Sequence, residues 1–107
     1  MKYRIEFTET AKSDLRNIAV YIVEQSKDKE LAKKFVKELS EQCMPLEDFP
    51  QMGAVPKDRI LMSSEYRFIA HKEYLIFYSV DEPNKKVYVQ AVFNAKKDYT
   101  RVLKKIT

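Results

Sequence analysis

The sequence predicts an α+β fold in which a helical hairpin packs on a small, mainly antiparallel sheet. Three observations predict it: residues 2–7 alternate, two segments then carry apolar residues at helical spacing, and three strand-like segments follow. The predicted order is β-α-α-β-β-β-α. We expect one domain over residues 1–107, because a chain of 107 residues leaves little room for a second core.

The first part of the chain, up to the interruption at residues 26–28, is predicted to form one strand and one helix. From Lys2 to Phe7 polar and apolar residues alternate, as in a half-buried strand. The period then becomes helical, and Thr8 or Thr10 is a suitable N-cap because its hydroxyl can accept a bond from an unpaired backbone N–H. The apolar stripe of this helix consists of Ala11, Leu15, Ile18, Ala19, Ile22 and Val23.

A second helix follows closely, which makes an antiparallel hairpin the expected geometry. Residues 26–28 interrupt the first stripe, and Asp28 can cap the new helix. Pro45 lacks a backbone donor, so the helix is expected to end or kink near Met44. The predicted apolar face consists of Leu31, Phe35, Val36, Leu39, Cys43 and Leu46.

The second half predicts three strands and a closing helix. A loop over residues 49–56 contains Gly53 and leads to a strand over Tyr66–His71. Tyr74–Val80 is apolar on both faces, as in a central strand, and Val87–Phe93 alternates after a turn at residues 81–84. Lys96–Lys105 reads as a short basic helix whose apolar contacts are Tyr99, Val102, Leu103 and Ile106.

Composition excludes several classes of function. Gly53 is the only glycine, whereas phosphate loops, dinucleotide fingerprints and nucleophile elbows each need at least two. One histidine, His71, and one cysteine, Cys43, cannot build a zinc site, and one cysteine cannot form an intrachain disulfide. We therefore expect no metal and no cofactor. Without a long apolar run or a disulfide we expect a cytoplasmic protein with no membrane partner.

Positive charge is concentrated towards the C-terminus. Residues 1–50 carry nine Lys and Arg against ten Asp and Glu, whereas residues 51–107 carry eleven against six. From Lys85 onward there are seven basic residues and one acid, Asp98. Such an excess indicates either an anionic partner, such as nucleic acid or an acidic protein segment, or a solvated basic tail.

A few side chains could carry chemistry. Histidine is the side chain that ordinarily changes charge near neutral pH, so His71 could serve in acid–base catalysis or simply lie in a solvated turn, which the sequence favours. Arg67 could hold a phosphate or carboxylate, or pair with a helix acid. Cys43 is expected to be a buried, inert thiol. The basic candidates for an anion patch are Lys96, Lys97, Arg101, Lys104 and Lys105, beside Tyr99, which could stack on a base or pack on the sheet.

Nearly the whole chain resembles the RelE/ParE superfamily of toxins from bacterial type II toxin–antitoxin modules. After the opening strand comes a helix with the pattern Thr8-x-x-Ala11-x-x-Asp14-Leu15-x-x-Ile18-x-x-Tyr21-Ile22. Leu46-x-x-Phe49-Pro50-x-x-Gly53 and Tyr66-Arg67 follow. The match continues with Tyr74-Leu75-Ile76-Phe77-Tyr78 and ends with Lys96-Lys97-Asp98-Tyr99.

The resemblance implies a growth-halting toxin that a cognate antitoxin neutralises in a hetero-oligomeric complex. ParE-like members poison DNA gyrase and are not known as hydrolases. The sequence favours this group, since Leu75 stands where RelE-like chains often carry Arg and Lys96-Lys97-Asp98 fits a ParE-like ending, although Asn94 replaces a frequent His. The residues expected to bind the target are Arg67, Lys96, Lys97, Asp98, Tyr99 and Arg101, with Asp98 positioning a neighbouring cation.

Two alternatives remain open. RelE-like members cut mRNA on the ribosome without a metal, which would make the chain an endoribonuclease. Arg67, His71, Lys96 and Lys97 would then be the phosphate-binding and proton-transfer groups. The other alternative is a non-toxic module that only binds an antitoxin, whose amphipathic helix or strand would cover exposed apolar surface.

Overall fold

The computed structural model describes residues 2–56 and 66–96 and confirms the α+β class. Four strands form one sheet in the order β1-β4-β3-β2, in which β1 is parallel to β4 and the other two pairings are antiparallel. The helix expected over Lys96–Lys105 lies outside the described residues except for Lys96. The elements are β1 (Arg4–Phe7), α1 (Glu9–Ser26), α2 (Lys29–Glu41), a 3₁₀ helix (Met44–Glu47), β2 (Arg67–His71), β3 (Tyr74–Asp81) and β4 (Lys86–Asn94).

Side-chain caps determine where both helices begin. The Thr8 hydroxyl accepts a hydrogen bond from the Ala11 amide at 3.1 Å, so Thr8 is the N-cap of α1 and Thr10 lies within the helix. Asp28 caps α2 as predicted, because its carboxylate accepts bonds from the Glu30 and Leu31 amides. Lys27 ends α1 in the left-handed conformation, and the chain reverses into the antiparallel hairpin.

The end of α2 departs slightly from the sequence expectation. The α-helix stops at Glu41, before the expected Met44, and Pro45 lies in the first turn of the 3₁₀ helix, where a missing backbone donor is tolerated. Leu39, Cys43 and Leu46 are fully buried, as their place on the apolar stripe predicts. Leu31 was expected on the same buried face, but it is 47% exposed because it lies on the flank of α2.

The sheet separates two groups of buried side chains. The larger group packs between the sheet and the helical hairpin, and includes Ile18, Leu39 and Tyr78. On the opposite face of the sheet, Phe77 and Phe93 form a smaller aromatic group with ring centroids 5.2 Å apart. Both faces of β3 are therefore buried, as its doubly apolar sequence predicts.

A β-bulge breaks the regular alternation expected for β4. Phe77 pairs with Ala91 and Tyr78 with Val89, which leaves Gln90 as the extra residue. Val89 packs towards the helices, whereas Ala91 faces the opposite side of the sheet. The bulge therefore changes which alternate side chains of β4 face the helices. The Gln90 carbonyl accepts the Thr8 hydroxyl at 3.2 Å, which ties the bulge to the start of α1.

Candidate target-binding site

Arg67, a predicted site residue, supports a loop. It begins β2 and its side chain is half-buried. Its Nη1 donates to the carbonyl oxygens of Gln51 at 3.2 Å and Gly53 at 3.0 Å. Within residues 2–56 and 66–96 no helix carboxylate pairs with Arg67, so the alternative of an ion pair with a helix acid is not seen in this part of the chain. A guanidinium suits this task because it stays charged and presents several donors.

The buried side chain of Tyr78 on β3 holds the same loop through two hydrogen bonds. The Tyr78 hydroxyl donates to the Pro50 carbonyl at 2.8 Å and accepts from the Gly53 amide at 2.8 Å. Burial raises the pKa of this phenol, and the bond from the Gly53 amide opposes part of that shift. The sequence did not reveal this contact, because Tyr78 reads as one more core residue of β3.

Gly53 is required by close packing, and its φ is not positive. A Cβ atom at this position would lie 2.7 Å from Cε1 of Tyr78 and 2.9 Å from the Phe68 carbonyl oxygen. Next to it, Ala54 and Phe68 exchange two backbone hydrogen bonds of 2.9 Å, which attaches the loop to β2. The loop is therefore fixed, yet Phe49, Met52 and Val55 each remain more than half exposed.

The sequence favours a solvated turn for His71, and this prediction is wrong, because His71 ends β2. Its side chain is only 17% exposed, and Nε2 lies 3.2 Å from Oε1 of Glu38 on α2. An ionised carboxylate can only accept, so Nε2 is the donor in this contact. Lys72 approaches the same oxygen at 3.4 Å, and the His71 ring lies against Phe35 with centroids 5.9 Å apart.

The Glu38 carboxyl is held in its charged form. The hydrogen bond from His71 is the main cause that lowers the pKa of Glu38, and Lys72 adds to it while burial opposes it. A carboxylate with a lowered pKa is a poor proton acceptor. The pair links α2 to the end of β2, with the His71 ring as donor and the Glu38 carboxylate as acceptor.

The sheet places the predicted site residues at two separate ends. Arg67 and His71 lie four residues apart on β2, which separates their Cα atoms by about 13 Å. His71 pairs with Tyr74, and Tyr74 pairs with Asn94, so Asn94 lies at the His71 end of the sheet. Lys96 follows at this end, where its amide donates to Oδ1 of Asn94 at 2.9 Å and its side chain is exposed.

The remaining predicted target-binding residues lie outside the described part of the chain. They are Lys97, Asp98, Tyr99 and Arg101.

Two further ionisable groups with shifted pKa values are Cys43 and Glu82. Cys43 is fully buried and its pKa is raised to about 12 by burial, which confirms an inert thiol. Glu82, in the turn after β3, accepts a hydrogen bond from the Tyr3 hydroxyl at 2.5 Å and one from Gln51 at 3.1 Å. The Tyr3 bond is the main cause that lowers the pKa of Glu82. Glu82 thus joins the β3–β4 turn to β1.

Neither a membrane-spanning helix nor a metal site was found in the described ranges. No helix within residues 2–56 and 66–96 is long and apolar enough to cross a bilayer. In the same ranges, no three His, Cys, Asp or Glu side chains are grouped so that they could hold a metal ion.

Several solved toxin structures share this fold. A chromosomal ParDE TA system from P. aeruginosa matches with a TM-score of 0.74 and 20% identity, over 89% of this chain and 98% of that one. The toxin–antitoxin complex RelBE2 from Mycobacterium tuberculosis matches with a TM-score of 0.67 and 19% identity, over 90% and 95%. The isolated RelE toxin of E. coli gives 0.54 and 18%, over 98% and 99%. The chain thus has the fold of these toxin structures.

The sequence narrows this class to a family. Residues 5–99 match the model for the ParE toxin of the type II toxin–antitoxin system parDE. The chain therefore belongs to the ParE toxin family, which confirms the resemblance seen in its motifs. Among curated proteins, no sequence matches it significantly.

Proposed function

We propose that this chain arrests growth by poisoning DNA gyrase and that a cognate antitoxin keeps it silent. Membership of the ParE family supports gyrase as the target, since the ParE-like branch of the superfamily acts on that enzyme. Leu75 adds to this support. It packs against the aromatic group of Phe77 and Phe93, at the strand position where RelE-like chains often carry a cation.

The separation of Arg67 from His71 supports the proposal, because it argues against a ribonuclease site that uses both residues. Metal-free RNA cleavage needs a base at the ribose 2′-hydroxyl and a cation at the adjacent phosphate, both within reach of one nucleotide. Here these two side chains are held at opposite ends of β2, one by loop carbonyls and one by Glu38. Arg67 therefore does not act with His71 on one nucleotide, and a ribonuclease would have to use Lys96, which lies at the His71 end of the sheet.

The C-terminal basic segment is the proposed gyrase contact. Lys96 is exposed beside the β2–β3 turn, and Lys97, Asp98, Tyr99 and Arg101 follow it in the sequence. Asp98 would position one of the neighbouring cations. Arg67 contributes indirectly, because its bonds to Gln51 and Gly53 hold the loop beside β2.

The antitoxin partner is inferred from the relatives. The P. aeruginosa ParDE system and the M. tuberculosis RelBE2 complex are both toxin–antitoxin pairs. A chain that blocks an essential enzyme must be neutralised in the cell that makes it. We therefore expect a hetero-oligomer with a cognate antitoxin.

Purified components distinguish the candidate targets. The chain is added to gyrase with relaxed plasmid, and in parallel to a reconstituted translation system with a defined mRNA. We expect loss of supercoiling and accumulation of cleaved plasmid, intact mRNA, and reversal by the antitoxin. The chain bearing Lys97→Ala and Arg101→Ala is the matched inactive control.

Each other outcome selects an alternative. Codon-linked cleavage of the translated mRNA with unaffected gyrase would contradict the proposal and indicate a RelE-like ribosome-dependent endonuclease. If the folded chain leaves both systems unaffected but binds the antitoxin, it is a non-toxic antitoxin-binding module.

A further inference from the structure

The loop that follows the 3₁₀ helix forms an open cleft with apolar walls. The volume of this loop cleft is about 600 Å³, and the residues that line it are Asp48, Phe49, Pro50, Gln51 and Met52. Phe49 is 66% exposed and Met52 is 53% exposed. Large apolar side chains grouped around one exposed cleft indicate a surface that contacts another molecule.

Polar contacts to the sheet fix the shape of the loop cleft. The Tyr78 hydroxyl is bonded to the Pro50 carbonyl and to the Gly53 amide, at 2.8 Å in each case. Nη1 of Arg67 donates to the Gln51 carbonyl at 3.2 Å. A surface that is ordered before it binds loses little conformational entropy on association. The side chains around the cleft are therefore well prepared to recognise a partner.

A carboxylate is among the groups that line the loop cleft. Asp48 is exposed, and within residues 2–56 and 66–96 it takes part in no ion pair. Two basic side chains that contact the loop or its neighbour Glu82 are engaged elsewhere. Arg67 binds loop carbonyls, and Lys85 lies 3.6 Å from Glu82. The cleft thus combines apolar walls with a negative charge.

We propose that the loop cleft receives a lysine or arginine side chain of DNA gyrase, an inference that rests on the proposed function. The aliphatic stem of such a side chain would lie against Phe49 and Met52, and its charged end would meet the Asp48 carboxylate. A guanidinium over the Phe49 ring would also gain a cation–π contact. Gyrase offers this chemistry, because an enzyme that binds DNA carries basic side chains on the surface that faces the phosphates.

Charge argues against the antitoxin as the occupant of the loop cleft. The whole chain carries a net charge of +4, so a partner that neutralises it is expected to be acidic, and Asp48 would repel an acidic segment. The cleft also lies at the Arg67 end of β2, whereas Lys96 lies at the His71 end. Gyrase would then contact the chain at two separate places, the loop cleft and the C-terminal basic segment.

Truncation of the apolar walls tests the proposal. The full chain is titrated against purified gyrase by surface plasmon resonance, without DNA, so that contacts to DNA do not contribute. The cleft variant carries Phe49→Ala and Met52→Ala, and the control carries Val20→Ala and Leu31→Ala, which removes exposed apolar side chains from the two helices. We expect the dissociation constant to rise at least about tenfold for the cleft variant and less than about threefold for the control.

Charge reversal tests the role of the carboxylate. Asp48→Lys should raise the dissociation constant for gyrase about tenfold, because it places two cations together. Glu24→Lys makes the same change of charge at an exposed position of α1 and should change the constant by less than about threefold. Titration of the Phe49 and Met52 variant with the cognate antitoxin should give the wild-type affinity, which also shows that this variant is folded.

The outcomes separate this proposal from the proposed function. Wild-type affinity of the cleft variant for gyrase, or equal weakening of the cleft variant and its control, would overturn the cleft contact and leave the proposed function standing. Loss of antitoxin binding with unchanged gyrase binding would overturn it too, because the cleft would then belong to the antitoxin. If the wild-type chain neither binds nor inhibits gyrase, the proposed function is wrong as well.

Discussion

At the scale of single residues, the Tyr78 hydroxyl connects the core to the loop that Arg67 also holds. Replacing Tyr78 by Phe would leave the buried Gly53 amide and Pro50 carbonyl without their partner. We expect the free energy of unfolding to fall by about 1–3 kcal/mol, the usual cost of such orphaned groups. Urea denaturation measures it. Tyr88→Phe, at a half-buried tyrosine on β4, should change stability by less than about 0.5 kcal/mol, and equal losses would contradict this role.

The contact between Glu38 and His71 predicts a dependence of stability on pH. The folded-state pKa of Glu38 is lowered from its ordinary value of 4.5. Its stabilising contribution is therefore fully present above the unfolded pKa and disappears as the pH falls through the folded one. We expect Glu38→Gln to be less stable than wild type at pH 7, with a difference that shrinks below pH 4.5.

Chemical denaturation of both proteins from pH 7 down to pH 3 measures this difference. Glu41→Gln, at an exposed position near the end of the same helix, is the control. A difference between wild type and Glu38→Gln that stays constant with pH would show that the carboxylate charge is not what stabilises this contact.

At the scale of elements, the start of α1 gives a direct comparison of two neighbouring threonines. Thr8 both caps the helix and donates to the Gln90 carbonyl, whereas Thr10 lies within the first turn. Thr8→Ala should lower the free energy of unfolding by about 1 kcal/mol more than Thr10→Ala, a typical value for an N-cap. Thermal unfolding of both variants checks this. A larger loss of stability for Thr10→Ala would show that Thr8 is not the N-cap that stabilises α1.

Local chemistry made most element boundaries predictable. Caps such as Asp28 act within three residues, and the change from period two to helical spacing needs no tertiary information. The bulge at Gln90 could not be predicted in this way, because nothing in the residues around it distinguishes an inserted position from regular alternation. The bulged Gln90 accepts a bond from Thr8, 82 residues away in the sequence, and such a contact is visible only in the folded chain.

At the scale of the whole molecule, the contacts of Arg67 and His71 are the part of the candidate site that the sequence could not predict. Arg67 and His71 lie on one strand, and the RelE-like alternative assigned both residues to one site. Their partners Gln51, Gly53 and Glu38 come from distant segments, and only the packing of α2 and the loop on β2 revealed them. Family membership could be recognised from motifs, whereas the roles of these two side chains required the tertiary contacts.

The positive charge of the C-terminal segment predicts that Lys97 and Arg101 are needed for growth arrest. If the basic segment after β4 contacts gyrase, replacing Lys97 and Arg101 together by Ala should abolish growth arrest on induction in bacteria. The fold should survive, because apolar side chains of the two helices and the four strands already form the buried groups on both faces of the sheet. Growth curves with circular dichroism of the purified variant measure both effects. The chain with Lys2→Ala and Lys34→Ala loses the same charge elsewhere and should remain toxic, whereas full toxicity of the Lys97 and Arg101 variant would refute this contact.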